Sequence, residues 1–338
     1  MLQHGIDLHK RTIVIATLDQ KGSLVRRSKI PATRPDLLRY LDSLEGPHRA
    51  VVEATGSWYW VADLFRARGV ELKLAHARQL KAVAAAKVKT DPVDALTLAQ
   101  LLRGDLIPEA HMISPELRGY RDLLRTRLRL VQKRTSAKNS ISRTLEKYNA
   151  KTSGELPPFA YLQISLFEEQ IQLLNRQVKE LEQLLQQHLI PDDDVQRLLW
   201  IPGIGRLLAF TIYLEVDDIH RFPSVKHFWS YCRLVPGAAD SGGKQRHKAS
   251  RDGNRYLKLA FSHAAIRAVQ YFPEVRQWFQ RWKRRKPIRV ARTLVAKELA
   301  QAVYVVLTEG VDFNQQFKGT PLTKRKQASW PRRASPSV

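Results

Sequence analysis

Cysteine is nearly absent from this chain, and it also lacks long apolar runs. Cys232 is the only cysteine among 338 residues, which excludes an intrachain disulfide framework and a zinc site built from cysteines. No stretch approaches the roughly 18 apolar residues that a membrane span needs. The first residues show neither the basic segment nor the apolar run of a signal peptide. We therefore expect a soluble, cytoplasmic protein with no membrane partner.

Acidic residues are also scarce relative to basic ones. The chain has 57 Lys and Arg against 32 Asp and Glu, a formal net charge of +25. Such an excess repels itself unless a polyanion neutralises it, and nucleic acid is the obvious polyanion. A ribosomal or other structural nucleic-acid binder would show the same charge, and an anionic membrane surface is a weaker explanation. The length and the 43% of hydrophobic residues allow two domains, or one with a large helical insertion.

The first 104 residues have the pattern of an α/β domain. Three β-rich runs come first, and a helix, a fourth strand (RAVVEA), a helix, a fifth strand (ELKLAH) and further helical segments follow. The fourth run is apolar enough to lie in the middle of a sheet. This order predicts a mixed sheet flanked by helices, as in the ribonuclease H-like fold. We assign residues 1–110 to this domain.

Residues 111–190 are helical and differ in character. Between Arg118 and Lys151 there are eleven basic residues and two acidic ones. After a short break, apolar residues recur at alternating spacings of three and four, which predicts a coiled coil. The same spacing fits an antiparallel hairpin within one chain and the seam of a dimer. This heptad stripe consists of Ile164, Phe167, Ile171, Leu174, Val178, Leu181 and Leu185.

Residues 191–317 predict a second, mainly helical globular unit, and residues 318–338 a disordered basic tail. Two apolar helical segments in this unit are joined by Pro-Gly-Ile-Gly, which resembles a helix-hairpin-helix. In that motif the backbone N–H groups around Gly203 and Gly205 hold a DNA phosphate without reading sequence. A plain helical turn, in which glycine supplies a positive φ, is the alternative.

Four carboxylates occupy chemically suggestive positions in the first domain. Asp7 ends the first strand, Glu53 ends the fourth, and Asp91 and Asp94 open a helix three residues apart. Strand ends and a helix start can converge, and four oxygen donors suit Mg²⁺ or Mn²⁺. Two such ions would clamp the attacking and leaving oxygens of a phosphodiester exchange. Helix capping explains Asp91 alone, whereas Glu53 at the end of an apolar strand needs a partner.

A nucleophile is available in the polar, Gly-rich stretch near residue 240. Ser241 precedes Gly-Gly and the cation Lys244. A serine hydroxyl must be activated before it attacks phosphorus, and a metal site or nearby basic groups would activate it. On composition alone Ser250 is an equal candidate, and an ordinary polar loop explains both residues.

The basic helix between residues 118 and 151 offers a surface for phosphates. A solvated helix face is the alternative, although eleven cations against two acids exceed what solubility needs. Charge alone does not distinguish RNA from DNA. The candidate phosphate ligands on this helix are Arg118, Arg121, Arg125, Arg129 and Lys133.

Taken in chain order, these segments resemble one family. GIDLHK, VVEATGSW, KTDPVDALTLAQLL, IPGIG, and SGGK followed by RDGNRYLK look like the DEDD transposases of bacterial insertion sequences, the family numbered 110 with its 1111 subgroup. The similarity covers nearly the whole chain except the tail. It implies a RuvC-like domain related to Holliday-junction resolvases, a helical coiled-coil insertion and a C-terminal transposase domain.

The resemblance also implies a chemistry. It implies that Asp7, Glu53, Asp91 and Asp94 bind Mg²⁺ and that Ser241, not Ser250, attacks the DNA. It implies a non-coding bridge RNA that pairs with donor and target DNA. We expect Lys244 to contact nucleic acid, action at the nucleoid, and a homodimer or homotetramer, because strand exchange needs several active sites. Two alternatives are a structure-selective metal-dependent nuclease in which water attacks, and a non-enzymatic nucleic-acid binder.

Overall fold

The computed structural model divides into two compact units, Met1–Pro115 and Glu116–Val338. The predicted disordered tail falls largely on residues 322–338, which lie outside the described part of the chain. Among the described helices, none has the length and apolar content needed to cross a lipid bilayer. The structure describes residues 1–54, 56–83, 91–241, 244–248, 252–314, 316–318 and 320–321.

The first unit contains a five-stranded mixed sheet, which confirms the predicted sheet. The strand order is β3-β2-β1-β4-β5. β1 is antiparallel to β2 and parallel to β4, which is itself parallel to β5. The strands are β1 Leu2–Leu8, β2 Thr12–Leu18, β3 Leu24–Pro31, β4 His48–Glu53 and β5 Glu71–Ala75.

Helices cover both faces of this sheet. Side chains of a strand alternate between the two faces, so apolar residues on each face need a helix to bury them. On one face, α1 and α2 pack against Ile6, Ile15 and Val52. On the other, α4 packs against Val14 and Ala16. The helices among the described residues of this unit are α1 Arg34–Asp42, α2 Tyr59–Ala67, α3 Ala77–Val83 and α4 Asp91–Arg103.

A buried polar network ties the strands to α1. His4 of β1 hydrogen-bonds through Nδ1 to Thr17 Oγ1 at 2.8 Å and through Nε2 to His48 Nδ1 at 2.9 Å. The hydroxyls of Thr17 and Tyr40 lie 2.6 Å apart. Burial, aided by the neighbouring imidazole of His48, lowers the pKa of His4 to about 3. The His4 imidazole is therefore neutral within this buried network.

The second unit begins with two long antiparallel helices, α5 (Pro115–Lys147) and α6 (Pro158–His188). Arg127 of α5 pairs with Glu182 of α6, and Arg134 donates to Asn175, so the sequence number rises along one helix as it falls along the other. Ile164, Leu174, Val178 and Leu185 of the heptad stripe are buried. The stripe therefore packs along α5 of the same chain.

Six further helices form a globular core with the base of the long helices. Val295 and Val303 of α12 and Phe261 of α10 are fully buried there, together with Leu124 and Leu185 of the long helices. Among the described residues, the other α-helices and strands of this unit are α7 Asp193–Leu199, α8 Arg206–Val216, α9 Val225–Tyr231, β6 Gly237–Ser241, β7 Lys244–Lys248, α10 Arg255–Tyr271, α11 Pro273–Lys283, α12 Ile288–Glu309, β8 Gln316–Phe317 and β9 Thr320–Pro321.

Candidate active site

Two of the four predicted acids stand level with each other at the carboxyl ends of neighbouring strands. β1 and β4 are parallel, and their register pairs Gly5 with Val51. Asp7 and Glu53 are each two residues further along. Because the side-chain direction repeats every second residue, both carboxylates leave the same face of the sheet. This is the face that α4 covers.

The first turn of α4 reaches Asp7 because the helix approaches β1 very closely. A Cβ atom built on Gly5 would lie 2.0 Å from the carbonyl oxygen of Ala95 and 2.4 Å from the nitrogen of Ala99. Only glycine permits that contact between strand and helix. Asp91 lies one helical turn before Ala95, so the close packing at Gly5 brings it beside the end of β1.

Asp7, Asp91 and His9 form a cluster whose ligand atoms all lie within 4.8 Å of one another. His9 Nε2 is 3.0 Å from Asp7 Oδ2 and 3.5 Å from Asp91 Oδ2. The Asp7 side chain is 16% exposed, whereas those of His9 and Asp91 are 46% and 47% exposed. The sequence prediction missed His9, although it lies two residues after Asp7 in the same GIDLHK segment.

The electrostatics of Asp7 reflect this crowding. Burial raises the pKa of Asp7 above its usual value, and the nearby charges of Asp91 and Asp94 raise it further. The interaction with His9 opposes this rise. Asp94 is thus electrostatically coupled to the cluster although its ligand atoms do not join it. Neighbouring carboxylates disfavour each other's ionised form, and a bound cation would offset that repulsion.

The donor set fits a divalent metal ion. Carboxylate oxygens are the ligands that Mg²⁺ and Mn²⁺ prefer, and imidazole nitrogen is a better ligand for Mn²⁺ and later transition metals than for Mg²⁺. Octahedral ligands at bond lengths of about 2.1 Å lie about 3 Å apart along an edge. The separations of His9 from Asp7 and Asp91 are close to that spacing.

The predicted nucleophile lies in the second unit at the end of a β-hairpin. β6 and β7 pair antiparallel, with Ser241 opposite Lys244. Gly242 and Gly243, which join them in sequence, lie outside the described residues, as does the competing candidate Ser250. The structure therefore gives the backbone position of Ser241 and Lys244 at the end of the two-stranded ladder.

The predicted phosphate-binding glycines have different environments. Gly203 has φ +80°, and a Cβ on it would lie 2.1 Å from the carbonyl oxygen of Ala264. Packing against α10 thus explains why this position is glycine. Gly205 is the N-cap of α8, and a Cβ there would meet nothing within 4 Å. The open side of the turn is at Gly205.

The cations of α5 also divide into two groups. Arg118 is 7% exposed, and Arg125 donates through Nε and Nη2 to the two carboxylate oxygens of Glu215, at 2.7 Å each. The Arg125 guanidinium is therefore used in packing within the second unit, and the Arg118 side chain is buried. Arg129 and Lys133 are exposed and remain available to a polyanion.

Two family profiles match this chain. A family profile described as "Transposase" matches residues 4–150, and one described as "Transposase IS116/IS110/IS902 family" matches residues 195–280. Together they span nearly all of the sheet with its acids, the whole of α5, and the region around Ser241. The profiles thus cover both predicted parts of the chemistry.

Similar curated proteins extend over almost the whole chain. A probable family 20 transposase of Pseudomonas aeruginosa PAO1 is 25% identical over 90% of this chain and 96% of its own length. The transposase for insertion sequence element IS1328 of Yersinia enterocolitica is 24% identical over 92% and 98%. The transposase for IS1111A of Coxiella burnetii is 25% identical over 90% and 89%.

The mixed sheet with acids at its strand ends and the helical second unit are thus those of a transposase, an enzyme that acts on DNA. More specifically, the chain belongs to the IS110/IS1111 family of insertion-sequence transposases. This confirms the resemblance inferred from the sequence motifs.

Proposed function

We propose that this transposase cuts and rejoins donor and target DNA at a divalent-metal site formed by Asp7, Glu53, Asp91 and Asp94, with Ser241 as the nucleophile. The observation that carries the proposal is the clustering of Asp7 and Asp91 around His9 at the end of β1. Gly5 permits the close approach of α4 to β1 that brings Asp91 near Asp7. Acids exposed separately on the surface would not require such a contact.

In the proposed reaction the Ser241 oxygen attacks a scissile phosphorus atom. A phosphoserine bond forms as the bond to one DNA oxygen breaks, and that oxygen leaves as a hydroxyl that has taken a proton. A hydroxyl of the other DNA then attacks the phosphoserine, restoring the serine. Each step exchanges one phosphate ester for another, so rejoining requires no ATP. When bound, Mg²⁺ or Mn²⁺ supplies positive charge where charge develops on the phosphate.

Metal binding can be measured without activity. Titration calorimetry with Mn²⁺ should show at least tenfold weaker binding, as an order of magnitude, for Asp91→Asn than for wild type. His9→Ala should weaken Mn²⁺ more than Mg²⁺, because imidazole favours Mn²⁺. Glu45→Gln, an exposed acid outside the cluster, is the matched control. Equal Mn²⁺ affinity of the wild type and the three variants would show that Asp91 and His9 do not form a metal site.

We further propose that a bridge RNA binds to the exposed cations of α5. Replacing Arg129, Lys133 and Arg143 with Gln removes three exposed charges without touching the Arg125–Glu215 pair. Affinity for the RNA should fall and become less sensitive to salt. The control replaces Lys21, Arg27 and Lys29, which are exposed around β2 and β3, with Gln. Unchanged RNA binding of the α5 variant would place the RNA elsewhere.

The proposed homo-oligomer needs a surface other than the heptad stripe, which is used within the chain. The outer face of α6, formed by Phe159, Leu162, Leu166 and Leu173, provides one. Phe159, Leu166 and Leu173 repeat every seven residues and are 84%, 58% and 45% exposed. A seven-residue apolar repeat is the pattern of a coiled-coil seam. We therefore assign contact with a second copy of the chain to this outer face.

A further inference from the structure

A second basic surface lies far along the chain from α5, where α11 turns into α12. Seven of the twelve residues from Arg281 to Arg292 are Lys or Arg, and there is no acid between Glu274 and Glu298. All seven are exposed. We call residues 281–292 the α11–α12 elbow.

The cations of the elbow have no protein partner within the described part of the chain. No ion pair or side-chain hydrogen bond involves any of the seven, whereas basic residues just outside the elbow are engaged. Arg276 donates to the carbonyl oxygen of Val269 at 3.1 Å, and the ammonium of Lys297 lies 4.2 Å from the centre of the Trp229 ring. The charge of the elbow is therefore left without neutralisation by neighbouring acids.

Helix electrostatics explain only part of this charge. Cations near the end of α11 interact favourably with the negative end of its dipole, which accounts for Arg281 and Lys283. Arg289 lies in the first turn of α12, where the same effect is unfavourable. Arg292 lies beyond that turn, where the dipole offers a cation no stabilisation. Helix stability therefore does not explain either residue.

Buried side chains anchor both helices of the elbow in the core of the second unit. Val275 and Phe279 of α11 and Ala291 and Val295 of α12 are buried in the core of the second unit. The rings of Trp278 and Trp282 meet edge to face, with centroids 5.9 Å apart, and both pack against that core. Two anchored helices thus present a dense row of cations on a fixed scaffold, which reduces the entropy lost on binding.

We propose that the α11–α12 elbow binds the phosphate backbone of duplex DNA. A surface with seven cations and no acid matches a polyanion in charge, and backbone contacts of this type position a protein without reading sequence. DNA is the polyanion on which a transposase acts, so the inference extends the proposed function while depending on neither the metal site nor Ser241.

The test measures binding of a labelled 30-base-pair duplex of arbitrary sequence at several salt concentrations. Arg285→Gln, Lys286→Gln and Arg289→Gln together should weaken binding roughly tenfold at moderate salt. They should reduce the slope of log affinity against log salt by about 2–3, since each phosphate contact contributes about 0.9. The Lys21, Arg27 and Lys29 triple variant, which loses the same charge, should keep the wild-type slope. Arg289→Gln alone should change the slope by about 0.9 and serves if the triple variant unfolds.

An unchanged slope in the elbow variants would overturn the proposal, and so would an equal effect in the control. A loss of affinity confined to an RNA duplex of the same length would also overturn it, because DNA would then not be the ligand. These outcomes are separate from failure of the proposed function: if the elbow variants bind DNA normally while Asp91→Asn loses Mn²⁺, only this surface is wrong.

Discussion

Gly5 and Ala95 touch backbone to backbone: a Cβ on Gly5 would lie 2.0 Å from the carbonyl oxygen of Ala95. This contact sets the distance between β1, which carries Asp7, and α4, which begins with Asp91. The candidate site therefore depends on a residue that has no side chain and performs no chemistry.

Gly5→Ala should separate the two carboxylates by displacing α4. Overpacking of this kind costs about 1–3 kcal/mol, and we expect a loss of that size in urea unfolding together with weaker Mn²⁺ binding. Gly119→Ala is the control, because Gly119 lies inside α5 with nothing within 4 Å of an added Cβ. Alanine there should stabilise the helix by about 0.5–1 kcal/mol. Wild-type Mn²⁺ affinity in Gly5→Ala would contradict the positioning role.

The sequence was sufficient to predict the five-stranded sheet and the positions of Asp7 and Glu53 at the carboxyl ends of its strands. Short β-rich runs predict the five strands, and Asp7 and Glu53 lie at the carboxyl ends of two of them, β1 and β4. His9 was missed because it follows the strand, and its direction depends on the turn in which its N–H donates to Thr12. No local pattern predicts that turn or the approach of α4 to Gly5.

Buried His4 makes the stability of the fold depend on pH. Its pKa is about 3 in the folded protein against 6.5 as the usual value, so the unfolded chain binds the proton first as the pH falls. Stability from this group is complete above pH 6.5 and is lost on the way down to pH 3. At pH 5 the loss should be about 2 kcal/mol.

His4→Gln should flatten this part of the pH profile in urea unfolding between pH 7.5 and 5. His188→Gln, which removes an exposed histidine at the end of α6, should leave the wild-type slope. A His4→Gln profile as steep as that of wild type would show that other groups cause the acid sensitivity.

Arg125 should prove structural. Glu215 is buried and accepts from Arg125 and, at 2.7 Å, from the side chain of Asn254. Arg125→Gln leaves that carboxylate without its cation, which should cost about 3–5 kcal/mol. Arg129→Gln, on the exposed side of the same helix, should change stability by less than about 0.5 kcal/mol. Equal unfolding free energies of the two variants would contradict this division.

The two faces of α6 should respond differently to charge. Leu173→Glu on the exposed outer face should abolish self-association while leaving the melting temperature nearly unchanged. Leu174→Glu buries a charge between α5 and α6, and should unfold the helical pair. Sedimentation with RNA and DNA present distinguishes them. An oligomer that survives Leu173→Glu would exclude the outer face of α6 as the seam.

Long-range partners are the part of the fold that the sequence did not reveal. The heptad stripe fits a hairpin and a dimer equally, because the spacing of three and four is the same in both. Arg125 looked like any other cation of a basic helix because its partner, Glu215, is ninety residues further along the chain. Only the tertiary structure separates cations used in packing from those left for nucleic acid.

The most direct test of the proposed chemistry is a denaturing gel of labelled target DNA incubated with the protein, Mg²⁺ and the bridge RNA. Wild-type protein should give a covalent protein–DNA species. Ser241→Ala should bind RNA and DNA normally, because the substitution removes no charge. It should form no covalent species, because it removes the attacking oxygen. Asp91→Asn should also give none, for want of metal. Recombination by Ser241→Ala at the wild-type rate would contradict the serine mechanism and favour a nuclease in which water attacks.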